Sequence, residues 1–209
     1  MISFDIENSY ENKIVVGIDE AGLGPMAGPL VVCSSYIKNN NFDNHELYKI
    51  NDSKKLTKKQ RENLFDKILD SENIKFAISI IQPNIIDEIG LSHAWKKGIV
   101  ESIKNLDIKP EICLLDGNRK FDIEDINIVP IIKGDQKSYS IATSSIIAKV
   151  TRDKIMCEIN DKYPMYGFDK HVGYCTTKHM DAIKKYGITE HHRKSYKPIM
   201  NIIENLSNP

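Results

Sequence analysis

No apolar stretch of this sequence approaches the roughly 18 uninterrupted residues that a membrane-spanning helix needs. The opening, Met1 to Asn12, is polar and acidic, without the basic start and apolar run of a secretory signal. Both absences predict a cytoplasmic chain with no membrane partner. Cysteine is scarce: Cys33, Cys113, Cys157 and Cys175 are scattered without a Cys-x-x-Cys pair, which argues against a zinc knuckle and against a disulfide scaffold. Three of them sit in apolar runs, where a reduced, buried thiol is expected. A surplus of charge is missing too, since 29 Lys and Arg balance 29 Asp and Glu, and that balance alone gives no support to nucleic-acid binding. With neither heptad repeats nor a long apolar edge, the chain is expected to be a monomer.

What is present suits a globular domain: 209 residues, 41% hydrophobic and 28% charged, enough to bury about 70% of the unfolded surface. Charge is unevenly spread. Tyr163 to Pro198 holds seven Lys and Arg against three Asp and Glu, with four of the six histidines. Strands are predicted at Ile14 to Ile18, Leu30 to Ile37, Lys75 to Gln82, Ile112 to Leu115 and Ile126 to Ile132, from their β-branched and apolar content. Helical spacing puts Leu64, Phe65, Ile68 and Leu69 on one face, and Ser92 suits the N-cap of a helix carrying Ala94, Trp95, Ile99 and Ile103 inward. A long helix follows over Ser140 to Ile159, another from the cap Thr176 to Gly187, and a short one over Ile199 to Leu206. Residues 1–12 read as a loosely fixed lead-in.

Strands alternating with helices imply an α/β layer structure, in which functional groups gather beyond the carboxyl ends of the strands. Here those ends carry Asp19-Glu20, Asp116 and Asp135. A carboxylate that tips a buried strand is costly unless something cationic neutralises it. Four such acids without a histidine or cysteine select Mg²⁺ or Mn²⁺ over zinc. Two ions about 4 Å apart would clamp the attacking and leaving oxygens of a phosphodiester. The chemistry suggested is phosphoryl transfer to water. Lys54, in a basic segment with Lys55, Lys58 and Lys59, is either the solvated side of a helix or a phosphate contact. Ser145, Lys149 and Arg152 share a helical stripe, where the two cations either pair with surface acids or meet substrate phosphates. The stretch from Tyr163 to Thr176, dense in Tyr, Gly, Lys and His, suits either a nucleic-acid backbone with its base faces or a packed lid.

Six ordered motifs then resemble one family closely. They are Gly17-Ile-Asp-Glu-Ala-Gly-Leu-Gly-Pro-Met-Ala-Gly-Pro29, Asp52-Ser-Lys-Lys-Leu56, Leu115-Asp-Gly-Asn118, Lys133-Gly-Asp135, Ser144-Ser-Ile-Ile-Ala-Lys-Val-Thr-Arg-Asp153, and Tyr163-Pro-x-Tyr-Gly-Phe with Lys170-His-x-Gly-Tyr174. From about Val15 to Tyr196 the chain resembles type 2 ribonuclease H, ribonuclease HII. The resemblance implies a ribonuclease H-like mixed β-sheet flanked by helices over residues 1–160, and a C-terminal helical extension over 161–209 that grips the substrate. It implies that Asp19, Glu20, Asp116 and Asp135 hold two divalent ions, Mg²⁺ or Mn²⁺. The RNA strand of an RNA/DNA hybrid would be cut to leave a 5′ phosphate and a 3′ hydroxyl. Duplex DNA containing a single ribonucleotide would be cut on its 5′ side, a role in ribonucleotide excision repair and replication. Substrate contacts are expected from Gly22, Leu23, Gly24, Lys54, Lys149, Arg152, His171 and Tyr174. The chain departs from the family at two places. Leu23 stands where a Gly-Arg-Gly turn has its arginine, and Cys175 follows the junction tyrosine where glycine is usual. A junction-indifferent hybrid nuclease, as ribonuclease HIII is, and a hybrid-binding module whose nuclease has decayed are the competing expectations.

Overall fold

In the computed structural model, residues 2–39, 42 and 45–207 are described. Five strands, β1 (Val15–Ala21), β2 (Leu30–Ile37), β3 (Ile74–Ile81), β4 (Ile112–Asp116) and β5 (Ile128–Ile131), form one mixed sheet in the order β3-β2-β1-β4-β5. β1 and β4 run parallel, Val15 opposite Ile112 through Ile18 opposite Leu115. β5 continues the parallel run beside β4, from Cys113 opposite Ile128 to Asp116 opposite Ile131. Val16, Ile18, Leu114 and Leu115 are fully buried, as expected of central parallel strands, whose apolar runs are continuous rather than alternating. The helices are α1 (Asp5–Asn8), α2 (Lys58–Leu69), α3 (Pro83–Lys104), α4 (Tyr139–Lys162), α5 (Phe168–His171), α6 (Thr177–Tyr186) and α7 (Lys197–Ser207). No helix of the described residues is long and apolar enough to cross a membrane.

The chain forms two compact units. The first comprises 1–21, 32–79 and 96–150, the second 22–31, 80–95 and 151–209. In the first, Val15, Ile112, Leu114 and Ile141 make a core against which Ile6 and Tyr10 pack. The amino terminus is therefore not the loose lead-in its polarity suggests. Glu7 Oε1 accepts from Ser138 Oγ (2.6 Å), Ser140 N (2.8 Å) and Ser140 Oγ (2.7 Å) at the start of α4, and Phe4 stacks on Tyr139 with centroids 4.4 Å apart. A carboxylate at that end satisfies orphan N–H groups and complements the helix dipole. α2 opens with a capping box between Thr57 and Gln60 and buries Leu64, Phe65 and Ile68. Leu69, expected on the same face, is 53% exposed; it is the last residue of the helix and falls past the buried stripe.

The helix expected from Ser92 begins earlier, at Pro83, and is interrupted at Gly90, whose φ of 78° and ψ of 153° are not helical. Pro83 ends the strand pattern and also opens a helix, because its missing N–H is one the first turn does not use. In the second unit Met26, Ala27, Met156, Ile159, Tyr166, Phe168, Ile183 and Ile199 form the core. Ala27 makes an isolated antiparallel bridge with His192. Asp87 accepts from Lys194 N (2.8 Å) and Ser195 N (2.9 Å). The tail beyond residue 160 thus shares its core and its hydrogen bonds with two earlier stretches of chain.

Candidate active site

In the first unit the acids come together through strand register. The pair after Ile18 and Leu115 is Asp19 and Asp116, so two carboxylates leave adjacent parallel strands at the same level and on the same face. Asp135 lies in a short 3₁₀ turn, Gly134–Gln136, just beyond β5, entered through Lys133 with a left-handed φ of 56°. Gly134 packs closely: a Cβ there would stand 2.5 Å from Ile141 Cδ1, so the Ile141 side chain would have to shift. Its N–H donates to Asp116 Oδ1 at 2.7 Å, and the Asp135 N–H reaches the same oxygen at 3.4 Å. α4 closes the other side. Ser144 Oγ donates to the Gly17 carbonyl at 2.8 Å, and Ser145 hydrogen-bonds Asp19 while meeting Ser53 Oγ at 2.9 Å.

Asp19 is 5% exposed. Burial first, and then the nearby charges of Asp116 and Asp135, push its pKa up to about 7 against the pull of Ser145 and the Glu20 N–H. Asp135 is raised for the same reasons, burial and Asp116, with Lys54 opposing. Glu20 is half-buried; its N–H holds Asp19 Oδ1 at 2.8 Å. Burial alone would lower Lys54, but Asp135, Asp19 and Asp52 together raise it. Its Nζ reaches Asp135 Oδ2 at 3.3 Å while the side chain stays 79% exposed. Asp52, buried, fixes this loop from below: Oδ1 accepts from Lys54 N (2.9 Å) and Oδ2 from Gln136 Nε2 (3.2 Å). Lys149 follows Ser145 by one turn of α4 and is half-buried.

Among the described residues no three His, Cys, Asp or Glu side chains already stand as a metal cage. Asp116 and Asp135 are instead held by the Gly134 N–H and by Lys54. The donor set still fits a hard divalent cation. It consists of oxygens alone, and burial followed by the nearby Asp116 and Asp135 disfavours the charged form of Asp19, a form that a bound cation would favour.

The second unit holds the other expected contacts. Gly22 has a φ of 107°, and a Cβ there would meet Arg152 and stand 2.7 Å from the Pro29 carbonyl. Arg152 does not reach a surface phosphate position. It is 1% exposed, and it donates from Nε to Pro29 O (2.9 Å), from Nη1 to Val172 O (3.0 Å) and from Nη2 to Ala27 O (3.0 Å). The helical stripe gives its direction but not its depth. Arg193, fully buried, acts likewise on Gly28 O (2.8 and 3.0 Å) and Leu23 O (3.3 Å). Tyr196 Oη adds a bond to Leu23 O at 2.6 Å. Burial, followed by the neighbouring Arg193, lowers Arg152 to about 10. Two guanidiniums thus brace the Gly22-Leu23-Gly24 turn from within. His171 also works on backbone, accepting from Gly173 N (3.2 Å) and donating from Nε2 to Tyr166 O (2.8 Å). Tyr174 is 50% exposed, and its Cε1 lies 3.4 Å from where a Gly24 Cβ would be. Cys175 beside it is exposed, and all four thiols are free. Sequence reasoning gave no role to Asp52, met only as the first residue of the Asp52-Ser-Lys-Lys-Leu56 motif, nor to Arg193, His179 and His192, whose only signal was a basic stretch.

The family model described as Ribonuclease HII matches residues 16–199. The chain belongs to the ribonuclease HII family. A ribonuclease HII of Mycoplasma capricolum is 46% identical over 207 residues, 98% of this chain and 98% of the relative. The ribonuclease H2 of Pyrococcus horikoshii OT3 superposes with a TM-score of 0.76 at 28% identity, covering 93% of this chain and 99% of that one. Bst-RNase HIII, solved in complex with Mn²⁺, shares the fold at a TM-score of 0.64 and 17% identity, over 94% of this chain and 71% of that one. Family membership makes the chain a ribonuclease H, a nuclease of RNA/DNA hybrids.

Proposed function

We propose that the chain cuts the RNA strand of RNA/DNA hybrids internally, leaving a 5′ phosphate and a 3′ hydroxyl, with Asp19, Glu20, Asp116 and Asp135 as the ligands of two divalent ions, Mg²⁺ or Mn²⁺. The observation that carries this reading is the register that sets Asp19 level with Asp116, beside Asp135, where burial first and then those two carboxylates push Asp19 up to about 7. When bound, such ions acidify the attacking water and offset the charge on the leaving 3′ oxygen. The protein's part is to hold the oxygens in place. The Gly134 N–H aims Asp116, and the Glu20 N–H and Ser145 aim Asp19. Lys54, anchored at its backbone by Asp52, offers an exposed ammonium to substrate phosphates, and Lys149 stands one turn from Ser145 for the same purpose.

Choosing RNA over DNA needs a group that senses the 2′ hydroxyl. The exposed Tyr174, next to Gly24, suits that task, and cutting on the 5′ side of a lone ribonucleotide in duplex DNA follows from it. Leu23 favours a second reading. It lacks the planar donors of arginine, and its carbonyl is taken by Arg193 and Tyr196, so the junction contact of the family is reduced and a hybrid nuclease indifferent to junctions results. The setting proposed is a cytoplasmic monomer.

The deciding assay compares a DNA duplex holding one ribonucleotide with a uniform hybrid, in Mg²⁺ and in Mn²⁺, with mapped 5′ ends. Cutting 5′ of the lone ribonucleotide supports the first reading, cutting of the hybrid alone supports the second, and no cutting makes the chain a binding module. Asp116→Asn is expected to abolish turnover while fold and hybrid binding are retained; normal cleavage by that variant would overturn the metal assignment.

A further inference from the structure

The turn that carries Tyr174 rests on imidazoles whose partners fix where each proton sits. The Thr189 N–H donates to His192 Nδ1 at 2.9 Å, so that nitrogen is an acceptor and the proton of neutral His192 is on Nε2. His192 Nε2 stands 3.1 Å from His179 Nε2, which therefore accepts. The proton of His179 is then on Nδ1, and it goes to the Tyr174 carbonyl at 2.9 Å. The result is a one-directional chain, Thr189 to His192 to His179 to Tyr174. Both rings are buried. His171 stacks on His179 with centroids 4.4 Å apart and planes 16° from parallel, and Phe168 meets the same ring edge-on at 5.3 Å, so His179 cannot tilt away from its carbonyl without disturbing both. Burial holds His179 and His192 at about 4, which keeps the chain neutral at physiological pH.

Nothing in the proposed cleavage chemistry uses these two histidines, yet they end on the backbone of the residue best placed to sense a 2′ hydroxyl. We infer that His179 and His192 are positioning residues for junction reading: their hydrogen-bonded chain fixes the Tyr174 backbone so that its exposed ring stays beside Gly24. The inference rests on the reading of Tyr174 given above.

The test exploits the two nitrogens. An asparagine amide mimics Nδ1 and a glutamine amide mimics Nε2. At position 179 the nitrogen that matters to Tyr174 is Nδ1, so His179→Asn is expected to keep the ratio of single-ribonucleotide to hybrid cleavage within about threefold of the parent, and His179→Gln to lower it about tenfold. At position 192 the nitrogen that matters is Nε2, so the order reverses: His192→Gln retains the ratio and His192→Asn loses it. A role in packing alone predicts no such reversal, and equal losses for both substitutions at each site would overturn the proposal. If one position gives insoluble protein, the order at the other decides. Tyr174→Ala separates the two levels of the argument. Should it leave the ratio unchanged, the reading of Tyr174 falls and the positioning role with it. Should it lower the ratio, then His179→Gln must add no further loss in the Tyr174→Ala background; a full additional loss means that His179 acts elsewhere and that only the positioning role is wrong.

Discussion

Gly17 shows how much one absent methyl group decides. Its carbonyl receives Ser144, and a Cβ there would drive into the backbone of Ser140 and Ile141 and stand 2.5 Å from Ser140 Oγ. Gly17→Ala is therefore expected to cost about 3 kcal/mol through overpacking, read as a lowered urea midpoint at constant slope. An unchanged midpoint would mean that α4 is free to shift. Single residues were legible in the sequence where they broke a local rule. Asp19, Asp116 and Asp135 stood out because each follows an apolar strand; register sets the first two level, and the turn after β5 brings the third to them. Arg152 and Arg193 were not legible in their actual role. A buried guanidinium bonded chiefly to backbone carbonyls leaves the same mark in a sequence as a solvated one, and only the fold supplies the carbonyls of Leu23, Ala27, Gly28 and Pro29.

Among the elements, the strands and α4 follow from apolar content and spacing, whereas α1 and the start of α3 do not. α1 has four residues and buries none of them; Glu7 joins it to Ser138 and Ser140, more than 130 positions away, a pairing that no local pattern announces. Replacing Glu7 by Ala should lower stability by about 2 kcal/mol, since it strips a charged acceptor from the α4 amino terminus; denaturant titration of parent and variant checks this. α6 and the segment after it carry a pH dependence. His179 and His192 have folded pKa values near 4, below the ordinary 6.5, so the unfolded chain binds protons that the folded chain refuses. Their contribution is full above pH 6.5 and is lost as pH falls from there toward 4. Going from pH 7.5 to pH 5 should remove on the order of 2 kcal/mol for each ring. Urea titrations at those two values, repeated on His192→Gln, measure it. A parent that is more stable at pH 5 would show that the rings are not held neutral.

For the whole molecule, a formal charge of zero conceals local fields, and binding of a polyanion depends on where the cations stand. Hybrid affinity should fall steeply with salt despite that zero, and Lys54→Ala should flatten the log–log slope by about one; a slope indifferent to the substitution would remove Lys54 from the phosphate contacts. The division into two units was not legible in the sequence, because the second is gathered from 22–31, 80–95 and 151–209, and periodicity sees only neighbours along the chain. The distribution of thiols has a practical outcome. Cys33 and Cys113 are buried, with burial pushing Cys113 up to about 12 and Cys33 up as well, and Cys157 is half-buried, while Cys175 lies open to solvent next to Tyr174. A maleimide dye added at neutral pH thus lands first beside the exposed Tyr174, the residue proposed to meet the substrate. The unmutated protein can then carry a fluorescent reporter of nucleic acid arriving and leaving, in real time and without any strand being cut.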